Sequence, residues 1–264
     1  MTVKLENRKE EEKELHDKFR GDLEGESHYL ANKKFYSISS SNRCFVEDWL
    51  KERCEGKKVL DYCCGSGEMA IFCAKAGADS CGIDISPVSI ESAIKQANAR
   101  GVDGKAKFRV MDGEAMEFPN DYFDFIVVHG VLHHLDLEKA YRELARILKP
   151  EGEIISTEAL RHNIFIHLYR KMTPHLRTAW EVDHILGKKD IEKAREYFDR
   201  VEVVKFFYLA TIGAIPFRNF SFFASIRRAL EAVDSVLLRL PILKWQAWMA
   251  VFVLSHPKKA SSKA

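Results

Sequence analysis

The stretch Val59-Leu60-Asp61-Tyr62-Cys63-Cys64-Gly65-Ser66-Gly67 constrains the fold of this chain more than any other. It reads as a buried strand carrying an acidic residue near its end, then a tight glycine turn, then a helix starting near Glu68. A strand that enters a helix through such a turn is the opening unit of a parallel α/β sheet. The turn exposes backbone N–H groups to a ligand, and the helix N-terminus behind it favours negative charge.

The same alternation continues downstream. Apolar runs predict strands at Lys58–Tyr62, Ser80–Asp84, Ala106–Met111, Phe123–His129 and Glu153–Glu158. Helical patterns fall between them, over Glu68–Ala76, Pro87–Ala99 and Leu137–Leu148, and Lys149-Pro150-Glu151-Gly152 reads as a turn. Val201–Leu209 and Ala247–Leu254 read as antiparallel neighbours. The expected fold is α/β: a doubly wound, Rossmann-like seven-stranded sheet, mostly parallel with an antiparallel last strand. Ligands should bind at the strand C-terminal ends. Residues 1–55 are expected to form N-terminal helices that could act as a lid, and 56–160 the ligand-binding core. Residues 161–256 should carry the acceptor pocket, the last strands and a hydrophobic cap insertion, and 257–264 a disordered tail.

Composition narrows the class. The chain has 264 residues, of which 46% are hydrophobic and 30% charged, enough for one large domain with a substantial core. No signal peptide is legible after Met1, and no span reaches the roughly 18 uncharged apolar residues of a membrane helix, so the reading is cytoplasmic. The six cysteines show no paired C-x-x-C spacing and read as small buried thiols in a reducing compartment, with no metal site. Residues 161–264 hold 18 Lys and Arg against 9 Asp and Glu, while the rest of the chain holds 23 against 30. That basic part could meet an anionic acceptor, an acidic membrane surface or nucleic acid, or it could simply solvate an apolar region.

Gly65-Ser66-Gly67-Glu68-Met69-Ala70 fits G-x-G-x-x-A, a spacing that serves both dinucleotides and S-adenosylmethionine. Asp84, ending the second strand, could accept from a ribose of either. Three features favour the methyl donor. Asp61 would repel a pyrophosphate but attract an ammonium or sulfonium. Asp112-Gly113-Glu114 offers a carboxylate and N–H groups to an adenine edge. His129-Gly130-Val131-Leu132-His133-His134 forms a turn beside the expected methionine end.

On these motifs the chain resembles the class I S-adenosylmethionine-dependent methyltransferases, of the kind typified by ubiquinone and menaquinone biosynthesis enzymes. The resemblance implies that Asp61, Cys63, Gly65 and Gly67 hold the methionine part. It further implies that Asp84 binds ribose with Ile85 against the adenine face, and that Asp112 and Gly113 read the adenine amine. His129 would position the methionine end. Cys63 stands where the pattern has its first glycine, and its Cβ would make a positive φ costly.

A histidine suits a general base near neutral pH, and His133 and His134 lie near the expected transfer point. Acceptor contacts are expected from Tyr36, His162, Arg177 and His184, although Arg177 could equally pair with Glu181. The apolar residues Phe217, Phe220, Phe222, Phe223, Leu237, Leu238 and Leu240 should be mostly core. Any at the entrance would favour a hydrophobic or lipid-linked acceptor and peripheral membrane contact. The expected function is methyl transfer to an oxygen of a small molecule (quinone-like, sugar or lipid-linked). An RNA- or protein-directed methyltransferase and an NAD(P)-dependent oxidoreductase are the alternatives, and nothing marks a nucleic-acid-binding module.

Overall fold

The computed structural model describes residues 8–14, 17, 35, 37–173 and 178–259. Seven strands form one sheet: β1 (Lys58–Tyr62), β2 (Asp79–Asp84), β3 (Ala106–Val110), β4 (Phe123–His129), β5 (Leu148–Ala159), β6 (Phe198–Phe207) and β7 (Met249–Pro257). Their order is β3-β2-β1-β4-β5-β7-β6. The first five run parallel, and β7 lies antiparallel between β5 and β6, as the sequence predicts.

Period-two alternation sends each strand's side chains to two faces. Val59, Val127, Ile155 and Val251 pack on one face with Val46 and Leu50 of α1 (Ser40–Lys51) and with Met69 and Cys73 of α2 (Glu68–Lys75). Leu60, Ile126, Ile154 and Phe252 pack on the other with Ala140, Tyr141 and Leu144 of α4 (Leu137–Ile147). Between β2 and β3, α3 (Pro87–Ala99) starts at Ser86, whose hydroxyl accepts the Ser89 N–H at 3.0 Å. Asp136 caps α4 in the same way, accepting the Glu138 N–H at 3.1 Å.

Several expectations are corrected. The Lys149–Gly152 turn is absorbed into β5, which begins at Leu148 opposite Phe123; the ladder then shifts register before Phe125 meets Glu153. After β5 come α5 (Ile164–Met172), α6 (Ala179–His184) and α7 (Lys188–Lys193). Pro257 belongs to β7, and the Lys259 ammonium donates to the Leu148 carbonyl at 2.8 Å, so the described part of the tail is anchored. Cys54 and Cys73 are buried, but Cys44 is exposed.

The insertion between β6 and β7 departs most from expectation. It contains a 3-10 turn at Thr211–Phe217 and α8 (Phe223–Leu237). Phe223, Ile226 and Leu230 pack on the core, yet Phe217, Phe220, Phe222 and Leu240 are exposed rather than core. The reason is geometric: one face of α8 meets the protein, and Asp234 is its one buried residue. No described helix is long and apolar enough to cross a membrane.

Candidate functional site

The C-terminal ends of β1, β2 and β4, with the loop after β3, surround a cavity of about 350 Å³, within the range that holds a small-molecule ligand. The turn after β1 forms its floor. Cys63 takes a positive φ of 54°, as do Gly65 (54°) and Gly67 (76°), so the glycine-like backbone persists at Cys63 despite its Cβ. A Cβ on Gly67 would come within 2.5 Å of the Phe108 ring. Burial pushes the Cys63 thiol well above its usual range, and Asp84 and Asp112 push it further. The sulfur is therefore a protonated wall of the cavity rather than a nucleophile.

Asp61 is buried, and its carboxylate accepts the Ala70 N–H in the first turn of α2 at 2.9 Å. Burial raises its pKa to about 7, the Ala70 N–H opposes this, and Asp84 adds to it. Asp84 accepts the Gly65 N–H at 2.8 Å and the Ser86 N–H at 2.9 Å, which ties the β1 turn to the start of α3. Ile85 follows it on the wall. Asp112 and Gly113 line the opposite side. A Cβ on Gly113 would lie 2.8 Å from the Tyr62 ring, whose hydroxyl donates to the Gly113 carbonyl at 3.0 Å. Only a glycine keeps that packing.

His129 and Gly130 close the wall after β4. Desolvation lowers the His129 pKa, with Glu158 opposing. The two following histidines part ways. His134 lines the cavity, whereas the buried His133 turns away and its Nδ1 lies 2.9 Å from Glu158. The Glu158 side chain also accepts the Val131 and Leu132 N–H groups, each at 2.9 Å. One carboxylate thus fixes the whole loop. His134 Nδ1 lies 2.9 Å from Glu12. Desolvation lowers the His134 pKa, but the Glu12 hydrogen bond and neighbouring carboxylates outweigh it, and the net shift is upward.

The remaining acceptor-contact expectations do not converge on this cavity. His162 is exposed, and His184 stacks on Trp180 with ring centroids 3.6 Å apart. Tyr36 and Arg177 lie outside the described residues. Among the described residues no group of His, Cys, Asp and Glu could hold a metal ion.

Residues 60–156 match the family model described as a methyltransferase domain. Over that stretch the chain is similar to methyltransferases. It is 32% identical over 133 residues to ajmaline N-methyltransferase of Rauvolfia serpentina, covering 50% of this chain and 43% of that protein. It is 33% identical over 105 residues to demethylmenaquinone methyltransferase of Thermus thermophilus, covering 39% of this chain and 47% of that one. The chain thus matches under half the length of these curated relatives. Among solved structures, geranyl diphosphate C-methyltransferase of Streptomyces coelicolor A3(2) shares the fold. Its TM-score is 0.57 at 12% identity, covering 91% of this chain and 84% of that one.

The site also draws on residues outside the 60–156 match that the motifs do not mark. Residues 8–14 form a helical segment over the cavity mouth. Arg8 pairs with the buried Glu114 and donates to the His134 carbonyl at 3.1 Å. Lys9 pairs with Asp112 at 2.5 Å, and Arg43 lines the cavity from α1. Glu158 left one legible trace, an acid closing the expected strand Glu153–Glu158. Arg8, Lys9 and Glu12 left none, because they sit in an ordinary charged run.

Proposed function

We propose that the protein is an S-adenosylmethionine-dependent methyltransferase acting on a small, hydrophobic acceptor (quinone-like, sugar or lipid-linked), with an oxygen as the accepting atom. The observation that carries this reading is the convergence of Asp61, Asp84 and Asp112 on one cavity beside the glycine turn. Three carboxylates there oppose a pyrophosphate and suit a ligand with an ammonium, ribose hydroxyls and an adenine amine.

In this reading Asp61 and the 63–67 turn hold the methionine end, Asp84 the ribose, and Asp112 and Gly113 the adenine edge. Ile85 packs on the adenine face, and His129 flanks the methionine end. S-adenosylmethionine, when bound, supplies an electrophilic methyl group. The protein's part is to hold the acceptor in line and exclude water, and to take a proton where the acceptor is a hydroxyl. His134 is the residue assigned to that proton: it faces the cavity, and Glu12 would stabilise the imidazolium that forms. His133 serves as a positioning residue through Glu158. Since the relatives' names include nitrogen and carbon methylation, the accepting atom is a separate question from the acceptor class.

Methyl transfer from labelled S-adenosylmethionine into a cell extract, separated into organic, aqueous and macromolecular fractions, tests the reading. Label in the organic phase is the expected result. Label confined to RNA or protein, or no transfer, would overturn it.

A further inference from the structure

Phe207 and Met249, which bracket the β6–β7 insertion, pair with each other, and Met249 also pairs with Ala159 at the end of β5. The insertion therefore leaves the sheet at the C-terminal edge that also holds the cavity. Its Gln246 carbonyl accepts from the Asn163 side chain at 2.7 Å, just before α5.

This insertion is apolar outside as well as inside. Phe217, Phe220 and Phe222 form a surface cluster with ring centroids 5.1–6.4 Å apart, and Phe220 is 56% exposed. On α8, exposed Val233 and Val236 fall with Leu240 just beyond its end on one stripe at helical spacing, which borders the Ile226 and Leu230 contacts with the core and continues them out to the surface. Ile242 follows at 82% exposure. Across the Asn163 contact, α5 exposes Ile164, Phe165 and Leu168. Patches of this kind mark interaction surfaces rather than ordinary solvated faces.

The charges around the patch have one sign. The insertion carries Arg218, Arg227, Arg228, Arg239 and Lys244 against two acids. Both acids are occupied: Asp234 accepts the Leu209, Ala210 and Thr211 N–H groups, and Glu231 pairs with Arg227 and accepts from Ser41. Arg228 and Arg239 flank the apolar stripe of α8, and neither is ion-paired to a carboxylate among the described residues. An apolar stripe with exposed aromatic residues and a basic border is the pattern of a helix lying in a membrane interface.

We propose that the β6–β7 insertion, with α5 beside it, docks onto an anionic lipid bilayer through its Phe cluster and the α8 stripe. Arg218, Arg228, Arg239 and Lys244 meet the acidic headgroups. Docking sets the cavity edge of the sheet toward the lipid. The surface and its charges carry this proposal without reference to the reaction, so it can fail while methyl transfer stands.

Sedimentation with phosphatidylcholine vesicles, with and without phosphatidylglycerol, tests it on the full chain. The expected result is binding that requires phosphatidylglycerol and weakens with salt. Phe220→Ser with Phe222→Ser, and separately Arg228→Glu with Arg239→Glu, should each weaken it by about tenfold or more. These residues are exposed, so unfolding is not expected; an unchanged melting temperature checks this, and Val236→Glu gives an independent variant. No vesicle binding, or binding equal in all variants, would overturn the proposal. So would a self-association that the same substitutions abolish while vesicle binding is absent, since the patch would then be covered by a second copy.

Discussion

Glu12, from the charged N-terminal run, holds the imidazole of His134 with its carboxylate 2.9 Å from Nδ1. Glu12 is also bonded by the Thr178 hydroxyl, so one buried carboxylate links the N-terminal segment, the loop after β4 and the start of α6. The histidine facing the cavity is thus oriented by a residue outside the sheet.

Glu12→Gln should lower the His134 pKa, because desolvation then acts without the opposing carboxylate. A histidine whose folded pKa is raised contributes stability that is fully present below its unfolded value of about 6.5. That contribution is lost as pH rises through the higher folded value. The variant should therefore lose stability mainly at acid pH. NMR titration of the His134 ring reads the shift directly, and the acid limb of the methyl-transfer pH profile should move down with it. An unchanged titration would remove Glu12 from the account.

Asp61 predicts a pH dependence of ligand affinity. Its pKa of about 7 lies above the ordinary 3.8, so the folded protein holds this proton more tightly than the unfolded chain. Ionising it lowers stability as pH rises between those values. A cationic ligand needs the ionised form. Affinity for S-adenosylhomocysteine, which carries an ammonium, should fall by up to about tenfold per pH unit below 7 and level off above it. Asp61→Asn should weaken binding at neutral pH and flatten the dependence. Calorimetric titration across pH 5–8 (a window set about the shifted value) makes the comparison.

Much of this site was legible because its parts are local in sequence. Asp61 to Gly67, Asp84 and Asp112-Gly113 each sit at a strand end, and buried parallel strands announce themselves as apolar runs. The N-terminal segment was expected as a lid, but which of its side chains enter the cavity was not legible. Long charged side chains such as Arg8 and Lys9 are normally solvated, and only the return of that segment to the cavity makes them part of it. Phe220 and Phe222 misled for the opposite reason. Apolar composition signals burial, but it does not count how much partner surface exists, and α8 offers the core one face only.

Glu158 should matter more for stability than any other carboxylate of the site. Glu158→Ala leaves the Val131 and Leu132 N–H groups and the His133 ring without their acceptor in a dry interior. A loss of about 2–4 kcal/mol is expected, read from urea denaturation midpoints. Glu158→Gln keeps an acceptor oxygen and should lose less. Equal stability of both variants and the parent would show that the loop is held elsewhere.

Gly67→Ala should be destabilising without removing any polar contact. Its Cβ would meet the Phe108 ring at 2.5 Å and the Ala93 methyl at 2.9 Å, on a backbone with φ at 76°. About 1–3 kcal/mol is expected from strain and overpacking together. Chemical denaturation measures it, and ligand affinity should fall in parallel because the turn is the cavity floor.

The turn after β1 and the Asp84 carboxylate are proposed as an S-adenosylmethionine site. Isothermal titration of the full chain with S-adenosylhomocysteine, beside NAD and the Asp84→Ala variant, tests it most directly. Binding of S-adenosylhomocysteine is expected, with none of NAD and a loss of about 10–100-fold in a folded Asp84→Ala protein, the scale of hydrogen bonds to a charged group. NAD binding in place of S-adenosylhomocysteine, or unchanged S-adenosylhomocysteine affinity in Asp84→Ala, would contradict it.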